Sequence, residues 1–268
     1  MPDSPANPPA LRAVLYRVVD VDRVAAFYRD GLGFRVEPAP VAGWQEVQLG
    51  WDQSLYLAPG GRQAPPLDDR FDHRGIIPIA RTFAVDEEAA EVTRLGAQWI
   101  NPLFDYDMRG HGRIGYFHDP ENRPFGIQQR MKDSVREEDL ATIDRIRREG
   151  IARWLGIGWL IFQVTDLHAS RDFYASALSW PELRGTEGFG HMMQIDPYTI
   201  LQIAFKGIIE DPRRDLAAEP MLPILSTRDV PGLLNAIGAH GGMALPGLER
   251  FAAFADPEGH VWLVEPEE

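Results

Sequence analysis

The densest run of side chains able to move protons lies between Asp105 and Asp119. It holds Asp105, Asp107, Arg109, His111, Arg113, Tyr116, His118 and Asp119. Histidine titrates near neutral pH, so His118 or His111, paired with Tyr116, could take a proton from a bound substrate and return it. Tyr116 and His118 are two residues apart, which puts both on one face of a strand. Gly110, Gly112 and Gly115 suit a lid as well as a plain connection. The same residues also have a purely structural reading: His118 caps the turn before Asp119-Pro120, and Asp105, Asp107 and the arginines form exposed ion pairs. Other chemistries lack their residues. There is no cysteine, which removes thiolate nucleophiles, disulfides and cysteine-held metals. No Gly-x-Ser-x-Gly elbow marks a serine hydrolase, and no P-loop and no Gly-x-Gly-x-x-Gly fingerprint after a strand supports a nucleotide cofactor.

The elements that must position these groups are written twice. Val14–Phe34 reads VLYRVVDVDRVAAFYRDGLGF, and Leu160–Trp180 reads LIFQVTDLHASRDFYASALSW. Asp20 matches Asp166, Phe27 and Tyr28 match Phe173 and Tyr174, and Leu32 matches Leu178, all at one offset. A repeat of that length is a duplicated domain rather than a solenoid. In each copy an alternating strand runs into an aspartate placed to cap a helix, followed by apolar residues at helical spacing. Gly31 and Gly33 stop the first helix.

Further strands are expected at Gln45–Leu49, Ser54–Leu57 and Ile79–Val85. A helix then runs from Asp86 to Leu95 and stops at Gly96. Strands near Trp99 and over Ile114–His118, the turn Asp119–Asn122 and a strand over Pro124–Arg130 close the first half. The second half repeats the order with strands at Gly190–Ile195, Thr199–Phe205 and Met221–Ser226. Asp229 then caps a helix, with Pro231 in its first turn and Gly238 at its end. Strands at Arg250–Ala255 and His260–Glu265 flank the turn Asp256–Gly259. The fold class is α+β, in paired βαβββ units. The domain reading is a loose tail at 1–10, one module at 11–131, a charged linker helix at 132–153 and a second module at 154–268. Sparse apolar points at Ile143, Ile146 and Ile151 give the linker one narrow packing stripe, as a spacer or as a partner-binding helix.

The formal net charge of −13 opposes binding to nucleic acid or to an anionic membrane surface. The start, MPDSPANPPA, lacks the basic and apolar regions of a signal peptide, and no apolar run is long enough to span a bilayer. A soluble, cytoplasmic protein is the expectation.

Strand–Asp–helix with Phe-Tyr, and later Asp-Pro-Glu-Gly before a terminal strand, resembles the vicinal oxygen chelate superfamily. That group includes glyoxalases, extradiol dioxygenases, fosfomycin-resistance enzymes and bleomycin-binding proteins. The likeness covers both halves. It implies that each βαβββ sheet curls into a half-cup, that paired half-cups enclose a pocket, and that in the enzymes a divalent metal sits there on His, Gln or Glu. The positions that the resemblance assigns to those ligands are Ala13 and Trp159 on the first strands, Gly126 and Leu263 on the last strands, and Ala80 or Arg81 and Pro223 between them. None of these is a metal ligand, so no cofactor is expected. The alternative is a relocated metal site of Glu265 and His191, with Gln194 or Gln202 near; otherwise Glu265 is a solvated strand-end carboxylate.

In the resembling enzymes the place of Trp159 faces the cup. Gln163 follows on the same strand face, with Arg17 as its counterpart. Trp44, Trp51, Tyr56, Trp99 and Phe104 are further candidates to line a pocket for a flat apolar or aromatic small molecule; alternatively these rings fill the cup. The functional expectation is a metal-independent member that binds such a molecule and either sequesters it or transforms it by acid–base chemistry. The alternatives are a metal-dependent lyase or ring-cleaving dioxygenase with relocated ligands, and a structural protein with plugged cups. Whether it is an enzyme stays open. Because the partner module is supplied within the chain, a monomer suffices, and a homodimer is the alternative.

Overall fold

A computed structural model describes residues 8–50, 52–62, 76–82, 84–105, 113–129, 154–186, 190–205 and 221–267. Trp51, Asp107, Arg109, His111, the glycines Gly110 and Gly112, and the expected linker helix lie outside the described residues, as does the tail up to residue 7. Pro8 and Pro9 are described, and Ala10 opens the first strand.

Four βαβββ units follow one another. The first is β1 (Ala10–Val18), α1 (Val21–Ala26), β2 (Arg35–Pro38), β3 (Gln45–Gly50) and β4 (Gln53–Pro59). The second is β5 (Ile77–Thr82), α2 (Val85–Arg94), β6 (Gln98–Asp105), β7 (Arg113–His118) and β8 (Pro124–Gln129). The third is β9 (Trp154–Val164), α3 (Leu167–Ala177), β10 (Glu182–Thr186), β11 (Gly190–Gln194) and β12 (Ile200–Phe205). The fourth is β13 (Met221–Thr227), α4 (Val230–Ala239), β14 (Met243–Leu248), β15 (Phe251–Ala255) and β16 (Val261–Pro266). The strands form two open, eight-stranded mixed sheets. No helix among the described residues is long and apolar enough to cross a membrane.

The chain divides into two compact units. The N-terminal unit holds Tyr16–Asp72 and Ile77–Gly158; the C-terminal unit holds Met1–Leu15, His73–Ile76 and Trp159–Glu268.

In the N-terminal unit, β2, β3 and β4 form an antiparallel meander, with Val36 opposite Val47 and Val47 opposite Leu55. β5 runs parallel to β8, placing Ile79 beside Gly126 and Arg81 beside Gln128. β8 pairs antiparallel with β7, and β7 with β6. Asp20 caps α1 by accepting from the Arg23 N–H at 3.0 Å, the expected arrangement. The helix then loosens into a π turn over Phe27–Gly31, where the sequence reads as one α-helix. Gly31 packs so closely on Leu95 that a Cβ would overlap its side chain, and Gly33 takes the left-handed conformation at φ +70°. Phe27 meets Phe117 at 6.2 Å and Tyr28 meets Phe125 at 5.7 Å between ring centroids. One face of β7 and β8 therefore lies under the helix. Trp154 stacks on Phe34 at 4.4 Å and donates from Nε1 to the Leu32 carbonyl at 2.9 Å.

In the C-terminal unit, β9 runs parallel to β12 and β13 parallel to β16, each followed outward by antiparallel neighbours. Asp166 caps α3 through the His168 and Ala169 N–H groups, and Asp229 caps α4 through Gly232. Tyr174 stacks on Trp180 at 5.5 Å, and Trp262 stacks on Phe254. Trp180 Nε1 donates to the Pro9 carbonyl at 3.0 Å, which fixes the entry to β1.

Two local expectations are corrected. Asp86 does not begin the second helix: β5 ends at Thr82, whose hydroxyl accepts the Ala84 N–H at 3.0 Å and turns the chain so that α2 starts at Val85. Glu265 is not solvated but 5% exposed, and pairs with Arg250.

Candidate functional site

Strand alternation sorts the candidate residues between two faces. On β7, Phe117 lies under α1, so Tyr116 points the other way. Cross-strand partners share a face, which groups Tyr116 with Gly126, and Ile114 with Gln128. Arg81 joins them through its register with Gln128, and Phe104 lies opposite Ile114. On this face, turned away from α1, Phe104 and Tyr116 have ring centroids 6.4 Å apart. Phe104 is 37% exposed, whereas Tyr116 is buried. Beside them the Arg81 Nε–H donates to Gln128 Oε1 at 3.3 Å, with both side chains buried. Gly158 makes room for this arginine: a Cβ there would overlap the Cγ, Cδ and Nε of Arg81. The Gln128 Nε2 is buried and has no partner among the described residues.

His118 shares the face of Tyr116 by alternation, opposite Pro124. Burial lowers its pKa, which favours neutral imidazole at neutral pH. The turn that follows is held by Asp119, whose Oδ1 accepts the N–H groups of Glu121 and Arg123 at 2.8 and 2.9 Å. Desolvation pushes the Asp119 carboxyl up to about 6, against the pull of the Tyr16 hydroxyl and those N–H groups. Asp105 and Arg113 do form an exposed pair, at 3.8 Å, and Arg113 also meets Asp86.

Trp99 leaves the pocket candidates. Its Nε1 donates to Thr93 of α2 at 3.0 Å and its ring stands edge-on to Phe117 at 5.8 Å, so it covers the helix side. Trp44 lies 6.5 Å from Tyr56. Tyr56 is opposite Glu46 on neighbouring strands, and Glu46 accepts from Ser54. Gln48 donates to Glu37 at 3.1 Å. Arg17 alternates with the buried Tyr16 and Val18 and is half-buried.

In the C-terminal unit, Trp159, Ile161 and Gln163 share one face of β9 and align with Ile200, Gln202 and Ala204. The opposite face carries Phe162, stacked on His260 at 4.5 Å. The Gln163 carbonyl meets His260 Nε2 at 3.0 Å, and His260 Nδ1 meets Asp256 Oδ2 at 2.9 Å. Asp256 Oδ2 also accepts from the Tyr174 hydroxyl at 2.6 Å, so this turn, like the one at Asp119, is tied down by a buried carboxylate. Trp159 and Gln163 thus belong to one unit, and Arg17, Trp44, Phe104, Tyr116 and His118 to the other.

The residues present do not fit the superfamily's divalent metal. Ala13, Ala80 and Leu263 are fully buried hydrocarbon, and Trp159 is 1% exposed. Ile79 Cγ1 lies 2.7 Å from where a Cβ on Gly126 would stand, and Arg81 brings a positive charge. The relocated site does not assemble either. His191 turns to α3, with its Nδ1 2.6 Å from Glu182 Oε1 and its ring 5.7 Å from His168. Glu265 lies on the other side, next to Ser226 and opposed to Trp262. Among the described residues no group of three His, Cys, Asp or Glu could hold a metal ion.

Arg81 and Gln128 were not singled out as binding residues by the sequence. The available signal was an arginine directly after the apolar run Ile76–Ala80.

No protein-family model and no curated protein sequence matches the chain. Solved structures do. Glyoxalase I from Zea mays superposes with a TM-score of 0.64 at 17% identity, covering 96% of this chain and 92% of that one. A variant of the same enzyme gives 0.66 at 16%, covering 96% and 94%. A proposed dioxygenase from Bacillus subtilis gives 0.64 at 12%, covering 97% and 86%. Four consecutive βαβββ units and these superpositions together establish that the chain has the tandem glyoxalase-like fold of the vicinal oxygen chelate proteins.

Proposed function

We propose that this protein binds a small molecule with a flat apolar or aromatic body, and does so without a divalent metal. The observation that carries the reading is the face of β5 to β8 turned away from α1. It sets a partly exposed aromatic pair, Phe104 and Tyr116, beside a buried polar pair, Arg81 and Gln128. Aromatic rings supply contact area and the few buried polar groups fix orientation, the usual composition of a small-molecule site. The positions that hold the metal in the resembling enzymes offer no donor here, which supports a metal-free mode. Fold relatives named as a glyoxalase and a dioxygenase support a small molecule as the ligand class. Trp159 and Gln163, on one strand face of the other unit, are further contact candidates.

Catalysis is a second reading, favoured by one observation: His118, its pKa lowered by burial, shares a strand face with Tyr116. A neutral imidazole there acts as a base and the phenol as its acid partner.

The test starts from native mass spectrometry of the purified chain to identify co-purified compounds, followed by titration before and after chelator treatment. Affinity unchanged by chelator and weakened by Phe104→Ala or Tyr116→Ala is the expected result. A stoichiometric metal whose removal abolishes binding would overturn the reading. Turnover lost in Tyr116→Phe and His118→Ala with affinity kept separates an enzyme from a sequestering protein.

A further inference from the structure

We propose that the Arg81–Gln128 pair is the anchor for a carboxylate, so that the ligand is an aromatic or apolar acid rather than a neutral compound. The inference rests on the small-molecule reading above and narrows its ligand class.

Arg81 is the one lysine or arginine buried among the described residues, at 5% exposure, in a chain of net charge −13. Its position is built rather than accidental. β5 brings it into register with Gln128 on β8, the Nε–H engages Gln128 Oε1, and Gly158 yields the space that its aliphatic stem fills. Accepting from the arginine orients the carboxamide, because the oxygen must face the guanidinium. The amide nitrogen is thereby committed as a donor. It is 1% exposed as a residue, its Nε2 has no acceptor among the described residues, and a buried donor left unmade is costly. What completes it is an acceptor oxygen, and the adjacent guanidinium charge selects an anionic one. Phe104 and Tyr116 on the same face supply the surface for the rest of such a molecule.

The probes are naphthoate and its uncharged match, naphthamide, titrated into the full chain and followed by calorimetry. The wild-type protein should bind naphthoate about tenfold or more tighter than naphthamide, the scale of one charge-assisted hydrogen bond. Gln128→Glu keeps the side-chain size but places a carboxylate where the ligand's would sit. It should cut the preference for naphthoate over naphthamide about tenfold or more. Arg81→Gln should act in the same direction, and circular dichroism checks that each variant folds. Because Gln128→Glu keeps the arginine, it decides the question even if Arg81→Gln unfolds. Equal affinity for acid and amide, with Gln128→Glu silent, overturns the anchor and leaves the small-molecule reading standing. Failure of both probes to bind the wild-type chain overturns both.

Discussion

Asp119 offers a perturbation whose size and sign follow from its surroundings. Its carboxyl is 4% exposed, and burial raises it from 3.8 to about 6. Between those values the folded chain binds more protons than the unfolded one, so this group's contribution is full below pH 3.8 and is lost as the pH rises through about 6. At 1.36 kcal/mol per pH unit the loss is about 3 kcal/mol. Asp119→Asn keeps the oxygen that accepts the Glu121 and Arg123 N–H groups and removes the titration. Other carboxyls titrate in the same range, so the quantity to measure is the difference between wild type and variant, by urea unfolding at intervals from pH 4 to 7.5. Relative to the variant, wild type should lose about 2 kcal/mol across that range, the rest being lost below pH 4, and level off above about pH 6.5. A difference that stays flat with pH, or that moves in favour of wild type as pH rises, refutes the account of Asp119 as a carboxylate ionised at a cost.

The remaining expectations are more local. Gly50 has φ +96°, and a Cβ would stand 2.8 Å from the Trp154 carbonyl; Gly50→Ala should cost about 1–3 kcal/mol in urea unfolding, and a neutral result would contradict the packing. Tyr174→Phe takes the phenol from Asp256 and should cost about 1–3 kcal/mol. Tyr28→Phe removes a hydroxyl with no partner among the described residues and should be close to neutral; equal costs would show that the Asp256 bond is not the cause. If turnover depends on His118 as base, its acid limb should have an inflection below pH 6.5, because burial lowers that histidine. An inflection above that value counts against His118.

The helix starts were legible because capping is a local rule. Asp20, Asp166 and Asp229 each accept backbone N–H groups within three residues. The duplication was legible for the same reason, since both copies must write the same strand, cap and helix. β2, β10 and β14 were not, being short outer strands of the sheets. β2 and β14 in particular keep much of their surface exposed, and without a buried face a strand shows no alternation. Arg81 and Gln128 illustrate the limit for sites. They stand 47 residues apart, each unremarkable alone, and become a pair only when β5 and β8 align in parallel. Trp99 failed as a pocket residue because a side chain just after a helix can fold back onto it, which its bond to Thr93 records.

The turn aspartates tell of divergence after duplication. In the first copy two phenols stand near Asp119, Tyr16 from the opening strand and Tyr28 from the turn after α1; in the second, one phenol, Tyr174 of the helix, bonds to Asp256. The sequence counterpart of Tyr16 is Phe162, and that of Tyr174 is Tyr28. Each half has therefore drifted to its own solution of one problem, and they are no longer interchangeable parts. A chimera carrying the second copy's strand, with Phe162 in the place of Tyr16, would leave the first copy's acid one phenol instead of two.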